Sequence, residues 1–204
     1  MNKLTITVLA AMAVAAAPAL AADKIDAAKV DAIVKTGWTK STDEWKARLG
    51  QDPTMAACTA SRNHPDKDVA DEIKAAALAS VKYPEDGKLL GDWKNGEKLA
   101  QSGYGMRFTD YPPDKPIGGN CYACHQLDKK EVAYGTIGPS LTGYGKLRDF
   151  TDAAVKAAYE KIYNSHTALA CSNMPRFGTN GILTIENIKD LTALLMDKES
   201  PVNK

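Results

Sequence analysis

Cys121, Cys124 and His125 fall within five residues of one another, in the run Gly119-Asn120-Cys121-Tyr122-Ala123-Cys124-His125-Gln126. Two thiols one helical turn apart can each form a thioether with a vinyl group. A histidine directly after them is placed to offer an imidazole nitrogen to an iron. Cys-x-x-Cys-His is the attachment pattern of a c-type haem, with the histidine as proximal ligand. Taken alone, the two cysteines would also suit half a zinc site, a redox dithiol or part of a disulfide framework. Zinc needs a second ligand pair at finger spacing, and none follows. A thioredoxin-like dithiol needs a βαβ setting, and no strand pattern surrounds these residues. The adjoining His125 favours one covalently bound haem c.

An iron held by His125 alone would be open to ligand chemistry, whereas a second protein ligand closes it and suits it to electron transfer. The other histidines and methionines that could serve are His64, His166, Met55, Met106, Met174 and Met196. Met196 falls among the apolar positions of the last expected helix and reads as packing. Met106 lies close before the motif. Met174 follows it in a loop stiffened by Pro175, and a His–Met pair raises the reduction potential. Of the four cysteines, Cys58 and Cys171 remain. An oxidising compartment makes a disulfide between them the natural expectation. The alternative is Cys171 as an iron ligand with Cys58 as a lone thiol. Arg176 reads either as a partner for a haem propionate or an acidic protein, or as a solvated loop charge.

The elements that must position these residues are helical. Residues 1–21 read as a signal peptide: Lys3, an apolar run from Ile6 to Ala17, and Pro18-Ala19-Leu20-Ala21 as the cleavage site. The mature chain is thus expected in the periplasm. The full chain has 26 Lys and Arg against 25 Asp and Glu, and losing Lys3 leaves 25 against 25. Near-neutral charge argues against nucleic-acid binding, which shows a basic excess or stripe. Apart from the signal, no stretch is apolar enough to span a membrane.

Residues 22–88 form an Ala- and Lys-rich helical extension. Ser41-Thr42-Asp43-Glu44 starts a short helix through Trp45 and Leu49, which Asp52-Pro53 stops. A second helix begins near Asp66, uses Val69, Ile73, Ala76 and Ala77 as its inner face, and ends before Pro84. The turn Tyr83-Pro84-Glu85-Asp86-Gly87 is a plausible domain boundary. Residues 89–204 carry the haem motif. A helix is expected from Asn95 to Gly103, another after the cap Thr151 to about Tyr163, and a last one capped by Thr184 with Ile188, Leu191 and Leu195 on one face.

The order helix, Cys-x-x-Cys-His, Gly138-Pro139-Ser140-Leu141-Thr142-Gly143, Met174-Pro175, terminal helix resembles class I c-type cytochromes over about Gly91 to the C-terminus. The resemblance implies an all-α, class I cytochrome c-like haem domain, here with its N-terminal extension. It implies that Pro139 offers its carbonyl to His125, and that Gly96 lies where the first and last helices cross. It implies Met174 as the second iron ligand.

Gly118 to His125, Gly138 to Gly145, Met174-Pro175-Arg176-Phe177-Gly178 and Ser200-Pro201-Val202-Asn203 together are similar to the SoxX family. Those are the monohaem subunits of SoxAX cytochromes in sulfur oxidation. This implies a heterodimer with SoxA, thiosulfate coupled to a cysteine of the SoxYZ carrier, and electrons passed to a small c-type cytochrome. The subunit itself would be non-catalytic within the thiosulfotransferase. A free periplasmic electron shuttle is the alternative reading.

Overall fold

The computed structural model describes residues 26–43, 46, 49–110 and 113–204. The signal peptide expected over residues 1–21 lies outside them, as do residues 44, 45, 47 and 48 of the short helix expected from the Ser41 capping box through Leu49. The described residues contain helices and turns and no strand. Among them no helix is long and apolar enough to cross a membrane. The chain divides into two units, between Gly50 and Gln51.

In the first unit, α1 spans Ala27–Gly37, capped where Asp26 accepts from the Ala28 amide at 3.0 Å, and none of its residues is buried. In the second, α2 (Pro53–Ala60) was not expected. Asp52-Pro53 reads as a stop for what precedes it. The same pair is also a start, because Asp52 accepts from the Met55 amide at 2.8 Å and Pro53 takes the first helical position, where no amide hydrogen is needed.

Helix α3 runs Lys67–Ala79 behind the cap Asp66. Its inner face is Val69, Ala70, Ile73 and Ala77, with Ala76 exposed rather than inward. Ile73 packs with Cys58, Ala170 and Cys171.

Helix α4 spans Trp93–Gln101, α5 spans Asp152–Tyr163 and α6 spans Ile185–Met196. The start of α4 falls two residues before the expected Asn95, because Asp92 is the cap and accepts from Lys94 at 2.9 Å. Helix α6 opens on a reciprocal capping box between Thr184 and Asn187. Its face Ile188, Leu191 and Leu195 is buried, as is Leu194.

Helices α4 and α6 cross at Gly96, where a Cβ would overlap the Asp190 carbonyl. Only glycine allows backbones that close. Asp190 also accepts from the Asp92 amide at 2.7 Å and from Asn95 Nδ2 at 2.6 Å, which ties α6 to the start of α4. The C-terminal turn closes the far end. Asn203 Oδ1 accepts from the Gly145 amide at 2.9 Å, and its Nδ2 donates to the carbonyls of Leu195 and Asp197.

Candidate haem site

Cys121–Ala123 forms one 3-10 turn, entered by Asn120 in the left-handed conformation at φ 50°. The His125 amide donates to the Cys121 carbonyl at 2.9 Å, so the histidine lies one helical turn beyond the first thiol. The turn hangs from the end of α4: Gly119 donates to Leu99 and Asn120 to Ser102 at 2.8 and 2.9 Å. Tyr122 points inward. Its hydroxyl donates to Glu97 Oε1 at 3.0 Å and accepts from the Asp128 amide at 3.3 Å.

The loop from Gly138 to Thr142 runs alongside. Gly138 donates to the Cys124 carbonyl and Leu141 to the Gln126 carbonyl, at 2.8 and 2.7 Å. A Cβ on Gly138 would overlap the imidazole of His125. This close approach leaves the Pro139 carbonyl oxygen 2.7 Å from His125 Nδ1. A carbonyl can only accept, so Nδ1 carries the proton and Nε2 keeps its lone pair. The ring is thereby set in the tautomer and orientation that an iron ligand needs.

One apolar cavity gathers the rest. Its walls are Leu191, Leu194 and Leu195 of α6, Ala158, Lys161 and Ile162 of α5, then Leu127, Pro139, Leu141 and Tyr144. Cys121, His125, Met174 and Phe177 complete the lining. Cys124 belongs to the same turn, and neither motif cysteine is in a disulfide.

Burial pushes the Cys121 thiol up to about 12, so this position disfavours a thiolate. A neutral thioether suits it. Among the described residues no cluster of three or more His, Cys, Asp or Glu could hold a metal ion alone. An apolar slot, a histidine with its Nε2 lone pair free, a methionine and a thiol in one lining fit a covalently attached haem. Such a haem would be held by Cys121, Cys124, His125 and Met174.

Cys171 takes no part in the cavity lining, because it is bonded to Cys58 with Cα atoms 5.3 Å apart. Arg176 faces neither a solvated loop nor the cavity. Its Nη2 donates to Asp52 Oδ2 at 2.6 Å, and its side chain is 12% exposed. Burial would raise the Asp52 carboxyl, but hydrogen bonds from the Met55 amide and from Arg176 outweigh it and hold the pKa below its ordinary value. His166 is buried, donating through Nε2 to the Ser172 carbonyl at 3.2 Å. Met196 is buried in the core, and Met106 packs against it.

Sequence reasoning did not single out Lys161, the one cation among the lining residues, or Phe177 as a lining residue. The spacing of Ala158, Lys161 and Ile162, at i, i+3 and i+4 on one helix, was the available signal.

The profile of the cytochrome c family, described as Cytochrome c, matches residues 94–198. The chain is also 40% identical over 203 residues to an uncharacterized lipoprotein of Aquifex aeolicus (strain VF5). That match covers 96% of this chain and 95% of the relative.

Proposed function

The chain belongs to the cytochrome c family, and from that premise we propose that it is the monohaem electron-transfer subunit of a SoxAX-type cytochrome. Cys121 and Cys124 would hold the haem through thioethers, and His125 and Met174 would offer its iron an imidazole nitrogen and a thioether sulfur. When bound, the haem supplies a one-electron couple at its iron.

The protein's residues do the rest. The Nδ1–H bond of His125 to Pro139 orients the ring and raises the basicity of Nε2. Leu191, Leu194, Leu195, Ile162 and Phe177 exclude water from the slot, and the low polarity they create tunes the potential. Met174 lines the same cavity and would offer its sulfur to the iron in place of an external ligand. The observation that carries the reading is this shared lining: His125 with a free Nε2, and Met174, in one apolar slot.

In the proposed setting, thiosulfate joins a SoxYZ cysteine through a new S–S bond and the thiol proton is released. Two electrons leave, accepted singly through the haem subunit and passed to a small c-type cytochrome.

The match to the relative extends well before residue 94, so the region ahead of the haem motif belongs to the shared protein. The relative is a lipoprotein, which supports an extracytoplasmic place for this chain as well. The first cysteine here is Cys58, far beyond the apolar run. Release into the periplasm after cleavage near Ala21 is therefore the form we propose.

Gentle native purification from the exported fraction, followed by mass spectrometry, tests the assignment. A tightly held second c-type haem chain is expected, with haem reduction dependent on thiosulfate once carrier is added. A lone monomer would contradict the SoxAX reading and point to a free electron shuttle.

A further inference from the structure

Two ties join α2 to the segment carrying Met174, and they bracket that residue. Cys58, within α2, is bonded to Cys171, three residues before Met174. Asp52, the cap of the same helix, holds Arg176, two residues after it, at 2.6 Å. The bridge is set in a small core of its own with Ile73 and Ala170, so α3 backs α2 as it grips the loop.

The bracketed segment contains no regular helix, and Cys171 sits at φ 58°, a conformation that non-glycine residues seldom adopt. Its other anchors are polar bonds: Ser165 Oγ donates to the Met174 carbonyl at 2.6 Å, the Met174 amide to Ser172 Oγ at 3.2 Å, His166 Nε2 to the Ser172 carbonyl at 3.2 Å, the Ser172 amide to the Leu169 carbonyl at 3.2 Å and the Asn180 amide to the Arg176 carbonyl at 2.9 Å. Met174 also lines two cavities. One is the apolar slot, and the other is an open cleft between the loop and α2, lined by Met55, His166 and Asn180 among others. Packing alone therefore does not confine the methionine to the slot, because there is space behind it.

We infer that α2 and α3 act as a clamp on the axial-ligand loop, with Cys58–Cys171 and Asp52–Arg176 as positioning groups that keep Met174 on the iron against competing ligands. The inference rests on the reading of Met174 as a ligand. An external ligand can bind only when the loop has swung back, so its apparent affinity scales with the fraction of molecules in that open state. Loosening the clamp raises the fraction. It also lowers the reduction potential, because methionine ligation is what raises it.

Imidazole binding to the ferric holoprotein reads the open fraction, and the near-infrared methionine-to-iron charge-transfer band and the midpoint potential report ligation. The variants are Cys58→Ala/Cys171→Ala, which leaves no stray thiol, and Asp52→Asn, which keeps the bridge and a competent helix cap. Met174→Ala is the control. The double variant is expected to bind imidazole about tenfold more tightly and at a lower potential. Asp52→Asn should shift in the same direction by less. Met174→Ala should bind most tightly and lack the band.

If both clamp variants match the parent in imidazole affinity and potential, and only their unfolding midpoints fall, the ties are merely structural and the inference is overturned. If Met174→Ala keeps the band and the parent affinity, the axial reading itself fails and takes the clamp with it.

Discussion

Glu97 shows how the motif reaches into the helix that carries it. Its Oε1 accepts from Tyr122 at 3.0 Å and from Gln101 at 2.8 Å, while Oε2 is buried with no partner among the described residues. Burial raises the carboxyl above its ordinary 4.5, the charges of Asp128 and Glu131 add to the rise, and the two hydrogen bonds oppose it. The folded protein thus keeps this proton to higher pH than the unfolded chain does. Where the folded state binds more protons, stability falls as pH increases. The contribution of Glu97 is therefore lost from pH 4.5 upward through the raised folded value. Denaturant unfolding of the holoprotein across that window should show the decline, and Glu97→Gln should flatten it; parallel curves would contradict the assignment.

The motif residues were legible because thioether and imidazole chemistry demands fixed spacing. The partner of Arg176 was not. Asp52 lies 124 positions away, and no local pattern links a loop arginine to a distant helix cap.

At the scale of elements, caps decided the helices. Thr151 and Thr184 were readable because each precedes a periodic apolar run, and each accepts from the amide three residues on. Helix α2 was not legible, since Pro53–Ala60 has weak amphipathic periodicity and is carried by its Asp-Pro start and the Cys58 bridge. The assignment of Ala76 to the inner face of α3 failed for a related reason. The contact surface is the small disulfide core, which reaches Val69, Ala70 and Ile73 but is too narrow to cover Ala76.

The crossing of α4 and α6 gives the sharpest element-scale expectation. Gly96→Ala sets a methyl against the Asp190 carbonyl and 3.1 Å from Leu194 Cβ. Backbone must move apart, at a cost of about 1–3 kcal/mol. The denaturation midpoint of the holoprotein should fall accordingly, and an unchanged midpoint would show that the helices do not meet there.

On the scale of the whole molecule, the haem slot and the α2–α3 pair belong to one unit, residues 51–204. The all-helical class was legible, because the described chain alternates capped amphipathic runs with Gly- and Pro-rich loops. The close connection of α2 and α3 to the methionine loop was legible only as two unpaired cysteines. Their bridge closes a loop with a sequence separation of 113 residues, a distance over which sequence pattern carries no register.

Near-neutral charge leaves recognition to local surface, and the proposed chemistry rests on the apolar slot. The proposed electron-transfer role depends on both His125 and Met174 ligating the haem iron. Carbon monoxide binds ferrous haem only where a coordination position is open. Adding it to the reduced holoprotein is therefore the most direct test. The account predicts an absorption spectrum unchanged by the gas, with Met174→Ala converted into a binder. A carbon monoxide adduct formed by the unaltered protein would contradict it.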